Sequence, residues 1–260
     1  MNMPDSRKSI FITGAASGIG RATALLFAGK GWFVGCTDLS DLEPLKAEIG
    51  AENGFFRKLD VTDHDELRRA INDFAAAAGG RLDIMHNNAG IVAEGAFADM
   101  PWAKVMAIVN VNFIAVLAGI QAALPLLKAN PGSLLFNTSS SAAIFGMGGL
   151  AVYSATKHAV RGLTEALSVE LKAAGVRVAD TLPGLVDTGM MPEERKAAVP
   201  TEGMWRLVQP GSVAEAVWGA YHTDKIHWYV PQELHDFDVG ATASPEEERN
   251  RWASMAVFSG

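Results

Sequence analysis

Short apolar runs alternate with amphipathic stretches of helical period along almost the whole chain, and this alternation limits the fold more than any other feature. Runs at residues 9–13, 32–37, 55–59, 82–86, 133–139, 176–182 and 226–230 read as strands. Between them, residues 18–30, 62–78, 102–128, 152–174 and 213–222 carry apolar residues at helix spacing. Thr62-Asp63 and Ser212 are placed to cap two of these helices, and Gly175 to stop another. Strands that alternate with helices pair in parallel through right-handed crossovers, with both sheet faces covered. The expected fold is therefore α/β, a three-layer arrangement with a parallel sheet between helices.

Size supports one Rossmann-like domain over residues 1–260, since 49% of the 260 residues are hydrophobic and only 20% charged. A formal net charge of −7 sets the surface against nucleic acid and anionic membranes, so neither is an expected partner. The single cysteine, Cys36, lies in an apolar run and reads as a small buried hydrophobe in a reducing compartment. Residues 1–8 are polar and carry no apolar leader segment, so a cytoplasmic location is expected. Residues 105–127 are long and apolar enough to span a bilayer. They carry Asn110, Asn112, Gln121 and Pro125, and a helix buried between protein surfaces is the expected outcome. Asn137-Thr138-Ser139 fits a glycosylation pattern but sits in an expected buried strand.

The turn Thr13-Gly14-Ala15-Ala16-Ser17-Gly18-Ile19-Gly20 joins the first strand to the first helix. Glycine permits a tight turn there and lets backbone N–H groups approach a pyrophosphate at the helix N-terminus. Its spacing, Gly-x-x-x-Gly-x-Gly, differs from the Gly-x-Gly-x-x-Gly of the standard dinucleotide fingerprint. Glycines also serve such turns structurally, so the location between strand and helix carries the argument. Asp38 ends the second strand, a little over twenty positions after Gly14. A carboxylate there accepts hydrogen bonds from ribose hydroxyls and repels a 2′-phosphate, which favours NAD(H) over NADP. Ala15, Ala16 and Leu39 supply no basic partner for such a phosphate. A turn or helix-cap role for Asp38 is the plainer alternative, although Ser40 or Asp41 could cap equally well. Asp60-Val61 and Asn87-Asn88-Ala89-Gly90 also end strands, where open parallel sheets bind ligands; both could equally be ordinary turns.

Tyr153 and Lys157 lie four apart on an expected helix and so share one face. An ammonium beside a phenol stabilises the phenolate and makes tyrosine usable as a general acid/base. Alone, the pair would read as a core tyrosine and a solvated lysine. Together with the glycine turn, Asn88-Ala89-Gly90, Ser139-Ser140-Ser141 and Pro183-Gly184, however, it resembles the short-chain dehydrogenase/reductase (SDR) family in order and spacing, over about residues 8–230.

The resemblance implies an enzyme that moves a hydride between NAD(H) and an alcohol or ketone. It implies Tyr153 as proton donor and acceptor, with Lys157 lowering its pKa and holding the nicotinamide ribose. Ser140, thirteen positions before Tyr153, matches the serine that bonds the substrate oxygen, with Ser139 and Ser141 flanking it. Asn112 matches an asparagine that supports a water relay to Lys157, and Asn110 competes for that role. Gly14, Ser17, Gly18, Ile19, Gly20, Asp38, Asp60, Val61, Asn88, Ala89 and Gly90 would line the cofactor cleft beside Tyr153 and Lys157. Pro183, Gly184, Val186 and Thr188 match the segment that meets the carboxamide end of the nicotinamide. A symmetric homotetramer or homodimer is implied as well. Beyond Val230 the chain lacks the Asp-Gly-Gly-type ending common in the family, which leaves its C-terminal contacts open.

Residues 185–209 form the least regular stretch and read as a substrate lid. Ile91, Val92, Phe145, Met147, Leu150, Met190, Met191 and Trp205 are candidate pocket walls and suggest a lipophilic alcohol or ketone. The six histidines are scattered without metal-ligand spacing, so no metal is expected. Three rival readings fit the sequence less well. A non-catalytic NAD-binding regulator would not need Asn112, Ser140, Tyr153 and Lys157 together. A sugar-nucleotide epimerase would need a separate substrate domain, for which too few residues follow Val230. An interaction domain acting through its acidic surface has no positive feature here.

Overall fold

The computed structural model describes residues 7–254; residues 1–6 and 255–260 lie outside the described residues. Seven strands form one sheet: Ser9–Thr13 (β1), Phe33–Asp38 (β2), Gly54–Lys58 (β3), Ile84–Asn87 (β4), Leu134–Thr138 (β5), Arg177–Pro183 (β6) and His227–Val230 (β7). All pairs are parallel, in the order β3-β2-β1-β4-β5-β6-β7. The order turns back between β1 and β4, and the crevice at the carboxyl ends of these strands is where such sheets take ligands. Thr13, Asp38, Asn87 and Thr138 all end there.

Among the described residues eight α-helices connect the strands and two follow the last one: Gly18–Gly29 (α1), Glu43–Ile49 (α2), His64–Ala77 (α3), Trp102–Val109 (α4), Ala115–Lys128 (α5), Ala151–Glu170 (α6), Glu193–Lys196 (α7) and Pro210–Tyr221 (α8), then Leu234–Ala243 (α9) and Pro245–Ser254 (α10). Side chains alternate across each strand, which explains the unbroken apolar runs. Phe11, Met85, Leu135 and Val178 face α3, α5 and α6. Ile12, Ile84, Leu134 and Phe136 face α1 and α8. Phe74 of α3 stacks on Phe33 and meets Phe11 edge-on, so its loss would cost about 3–5 kcal/mol.

Several helix ends differ from expectation for local reasons. Asp63 caps α3 as expected, accepting from the Glu66 N–H. Gly175 adopts φ +71° after a short 3₁₀ turn and stops the α6 segment. Ser212 does not cap α8: Pro210, with its fixed φ, starts that helix earlier behind Gln209. The helix expected over 102–128 is interrupted by a π turn at Asn110–Ile114, which holds Asn112 fully buried. One stretch among the described residues, Trp102–Lys128, is long and apolar enough to cross a membrane. Its α5 part presents Val116, Ile120, Ala123 and Leu127 to the core. Asn137 is also fully buried, bonded to Asn87 and Thr164, so the glycosylation pattern is inaccessible.

Candidate active site

The N-terminal turns of α6 carry Tyr153 half-buried and Lys157 buried on one face, as the four-residue spacing requires. The Lys157 Nζ stands 5.6 Å from the centre of the Tyr153 ring and donates to the Thr138 carbonyl at the end of β5, 2.8 Å away. Burial lowers the Lys157 pKa to about 8. It also raises that of Tyr153, while a hydrogen bond with Ser140 works the other way. Two of the three serines differ in their bonds. Ser139 donates to the Lys157 carbonyl (3.1 Å) and is committed. Ser140 accepts from the Ala142 N–H (3.1 Å), which leaves its own proton free for an oxygen at Tyr153.

Asn112 is clamped by the backbone of Ile91, accepting from its N–H (2.8 Å) and donating to its carbonyl (2.9 Å). A carbon placed on Gly90 would lie 3.5 Å from Asn112 Oδ1 and 3.6 Å from Lys157 Nζ. The two side chains therefore border one small space. Asn110 is only part-buried.

At the other end of the cleft the glycine turn is held open by close backbone approaches. A Cβ on Gly20 would lie 2.1 Å from the Gly14 carbonyl oxygen, and Gly14 itself has φ +69°. Asn88 ties this turn down, donating from Nδ2 to the carbonyls of Thr13 and Gly14, both at 3.0 Å. Thr13 Oγ1 accepts from the N–H groups of Asn88 and Ala89. Asp38 is half-buried, its carboxylate accepting from the Ala16 N–H (2.9 Å) and the Ser40 N–H (2.8 Å). Asp60 is exposed and accepts from the Thr62 N–H and hydroxyl, while Val61 joins the core.

A family model described as short chain dehydrogenase matches residues 8–198. The chain belongs to that family. It is 34% identical over 220 residues to the 3-oxoacyl-(acyl-carrier-protein) reductase FabG of Thermotoga maritima, covering 81% of this chain and 88% of that one. It is 33% identical over 218 residues to the cyclohexanol dehydrogenase of Acinetobacter sp., covering 82% and 86%. Among solved structures, a 3-ketoacyl-(acyl-carrier-protein) reductase from Brucella melitensis complexed with NADH superposes with TM-score 0.76 at 28% identity, over 86% of this chain and 96% of that one. A short chain dehydrogenase from Mycobacterium paratuberculosis bound to NAD gives TM-score 0.78 at 26% identity, over 87% and 97%.

In this chain the segment after β6 closes against the glycine turn. Pro183 ends β6, and the Gly184 N–H donates to the Val230 carbonyl. Val186 pairs with Val208 and belongs to a cluster against which Ile19 packs. A Cβ on Gly18 would lie 3.0 Å from Thr188 Cγ2. Residues 185–209 are tied at several points: Lys196 bonds Asp187 (2.7 Å), and Arg195 bonds Glu94. A cavity of about 380 Å³ opens between Gly18, Arg21, Thr188, Lys196 and Pro210. It lies beside the glycine turn, and Tyr153 does not line it. Phe145 and Trp205, expected to wall the pocket, instead pack on the C-terminal cluster of Leu234 and Phe237, while Ile91 and Met190 stay 39% and 47% exposed. Among the described residues no three His, Cys, Asp or Glu side chains gather as metal ligands.

Other site features were not visible in sequence. Arg161 of α6 makes a two-pronged pair with Asp238 of α9 (3.1 and 2.7 Å), and the Tyr229 hydroxyl donates to the same carboxylate (2.6 Å). The C-terminal helices are thereby fastened to the helix that carries Tyr153. No periodicity signals a pair 77 residues apart.

Proposed function

We propose that the protein is an NAD-dependent oxidoreductase that moves a hydride between the nicotinamide and a secondary alcohol or ketone, with Tyr153 as its acid/base. The observation that carries this reading is the placement of the Lys157 ammonium 5.6 Å from the centre of the Tyr153 ring, on the same face of α6. The chain's own residues fit a dinucleotide. Gly14, Gly18 and Gly20 clear the space a side chain would fill, and Ser17 and Ile19 place N–H groups at the start of α1. Asp38, oriented by the Ala16 and Ser40 N–H groups, keeps lone pairs for ribose hydroxyls and favours NAD over NADP. Asp60, Val61, Asn88, Ala89 and Gly90 complete one wall of the cleft, and Pro183, Gly184, Val186 and Thr188 the other. When bound, the nicotinamide would supply the two-electron acceptor or donor.

The residues divide the remaining work. Tyr153, as phenolate, takes the alcohol proton, or as phenol gives one to a ketone oxygen. Ser140 donates to that oxygen and fixes its place. Lys157 lowers the cost of the phenolate by its charge, and its pKa near 8 leaves a large share protonated at neutral pH. Asn112, bordering the same space as Lys157, holds the path by which the proton is replaced.

Residues 185–209 act as a substrate lid on a single domain, and Ile91, Val92, Met147, Leu150, Met190 and Met191 favour a lipophilic substrate. The cyclohexanol dehydrogenase among the relatives supports that class. A cytoplasmic homotetramer or homodimer is the matching assembly. The test is dinucleotide reduction across a panel of secondary alcohols, comparing NAD⁺ with NADP⁺. Turnover with NAD⁺ is expected; no turnover with any alcohol or ketone would refute the reading, and a preference for NADP⁺ would overturn the role of Asp38.

A further inference from the structure

His86 of β4, the strand between β1 and β5, is fully buried, and the function proposed above leaves it without a role. Its Nε2 lies 2.9 Å from Thr138 Oγ1, and Thr138 Oγ1 lies 3.2 Å from Asn88 Oδ1. Proton counting fixes the direction of each bond. Asn88 Nδ2 donates to two carbonyls, so Asn88 Oδ1 is an acceptor. The one proton of the Thr138 hydroxyl must then go to Asn88, which leaves Thr138 only a lone pair for His86. His86 must therefore donate from Nε2. Its other ring nitrogen, Nδ1, has no hydrogen-bond partner among the described residues, and burial holds the ring neutral, with its pKa lowered to about 3. An unpartnered lone pair there is less costly than an unpartnered N–H, which favours the same tautomer.

Thr138 is the hub of this chain. Its hydroxyl holds Asn88, which holds the carbonyls of the glycine turn, and its own carbonyl takes the Lys157 ammonium. We propose that His86 is a positioning residue: its Nε2–H sets the Thr138 side chain, and through it couples the glycine turn to Lys157. The proposal rests on the dinucleotide reading above and adds to it a residue that touches neither cofactor nor substrate.

Two measurements on the full chain test it. Nitrogen-15 NMR of the histidine rings is expected to show His86 protonated at Nε2 only, without titration between about pH 5 and 8. A proton on Nδ1 would overturn the proposal. NADH is then titrated by fluorescence, with melting temperatures in parallel, into wild type, His86→Leu, His86→Gln and Thr138→Val. His86→Leu and Thr138→Val are expected to bind NADH about fivefold more weakly, the factor matching one neutral hydrogen bond. His86→Gln, whose amide N–H can reach the place of Nε2, should return to within about twofold of wild type. Wild-type affinity in Thr138→Val, or a Gln variant no better than the Leu variant, would overturn the coupling; should His86→Leu fail to fold, the other two variants decide it. A wild-type chain that does not bind NADH would overturn the dinucleotide reading and the coupling together, whereas a wrong tautomer in a chain that binds NADH overturns the coupling alone.

Discussion

Replacing Lys157 by methionine should make this protein more stable while abolishing its chemistry. Lys157 is 4% exposed, and burial lowers its pKa from 10.5 to about 8. At roughly 1.4 kcal/mol for each tenfold change in proton affinity, holding the ammonium in the folded chain at neutral pH costs about 3 kcal/mol. Methionine removes that cost and keeps the apolar stem, but it forfeits the hydrogen bond to the Thr138 carbonyl, worth about 1 kcal/mol. The net gain is about 2 kcal/mol, or about 4–8 °C in melting temperature at pH 7. Between pH 8 and 10.5 the unfolded chain holds more protons on Lys157 than the folded one, so wild-type stability rises relative to the variant across that window. The advantage of Lys157→Met should therefore be full below about pH 8 and shrink towards zero, or reverse slightly, above about pH 10.5. Thermal unfolding of both proteins at a series of pH values reads this directly, and the comparison cancels other groups that titrate in the same range. A variant that melts at or below wild type at pH 7, or an advantage that ignores pH, would refute the argument.

Tyr153→Phe should lower turnover by about 10²–10⁴-fold while NADH affinity stays near wild type, and retention of most activity would remove Tyr153 from the acid/base role. Gly20→Ala puts a carbon 2.1 Å from the Gly14 carbonyl oxygen, so it should cost about 1–3 kcal/mol and weaken NADH binding by at least about tenfold; an unchanged melting point and affinity would contradict the close approach. Arg161→Leu strands the Asp238 carboxylate, which that guanidinium holds below the usual carboxylate range. Because Arg161 is partly exposed, the loss should be about 2–3 kcal/mol, below that of a fully buried pair, and faster proteolysis of α9 and α10 should accompany it. A melting point within about 1 °C of wild type would show the fastening to be slight.

The parallel sheet was legible because its strands are apolar on both faces, which gives short continuous runs such as Ile10–Phe11–Ile12 that few other structures produce. Tyr153, Lys157, Ser140 and the glycine turn could be named as candidates because each motif is local, but only their shared order along the chain set them apart from ordinary core and turn residues. What escaped was set by contacts distant in sequence. The π turn at Asn112 follows from its clamp on Ile91, twenty-one residues away, and reads as plain helix from periodicity alone. Trp205 looks like a pocket wall by composition, yet it meets Phe237 and Trp252 edge-on from helices whose role the sequence did not disclose. Ser212 satisfies every local rule for a cap, and Pro210 pre-empts it with a stiffer one.

The 2.9 Å bond from the Ala16 N–H to Asp38 means that the residue which would choose between dinucleotides also braces the loop that would grip their phosphates. Selectivity and grip are then a single adjustable part. An attempt to retool the chain for the phosphorylated dinucleotide by truncating Asp38 would slacken the loop along with the discrimination, whereas Asp38→Asn or Asp38→Ser keeps an oxygen for Ala16 and separates the two. Coenzyme reversal here should begin with that spared oxygen, and only afterwards with an added positive charge.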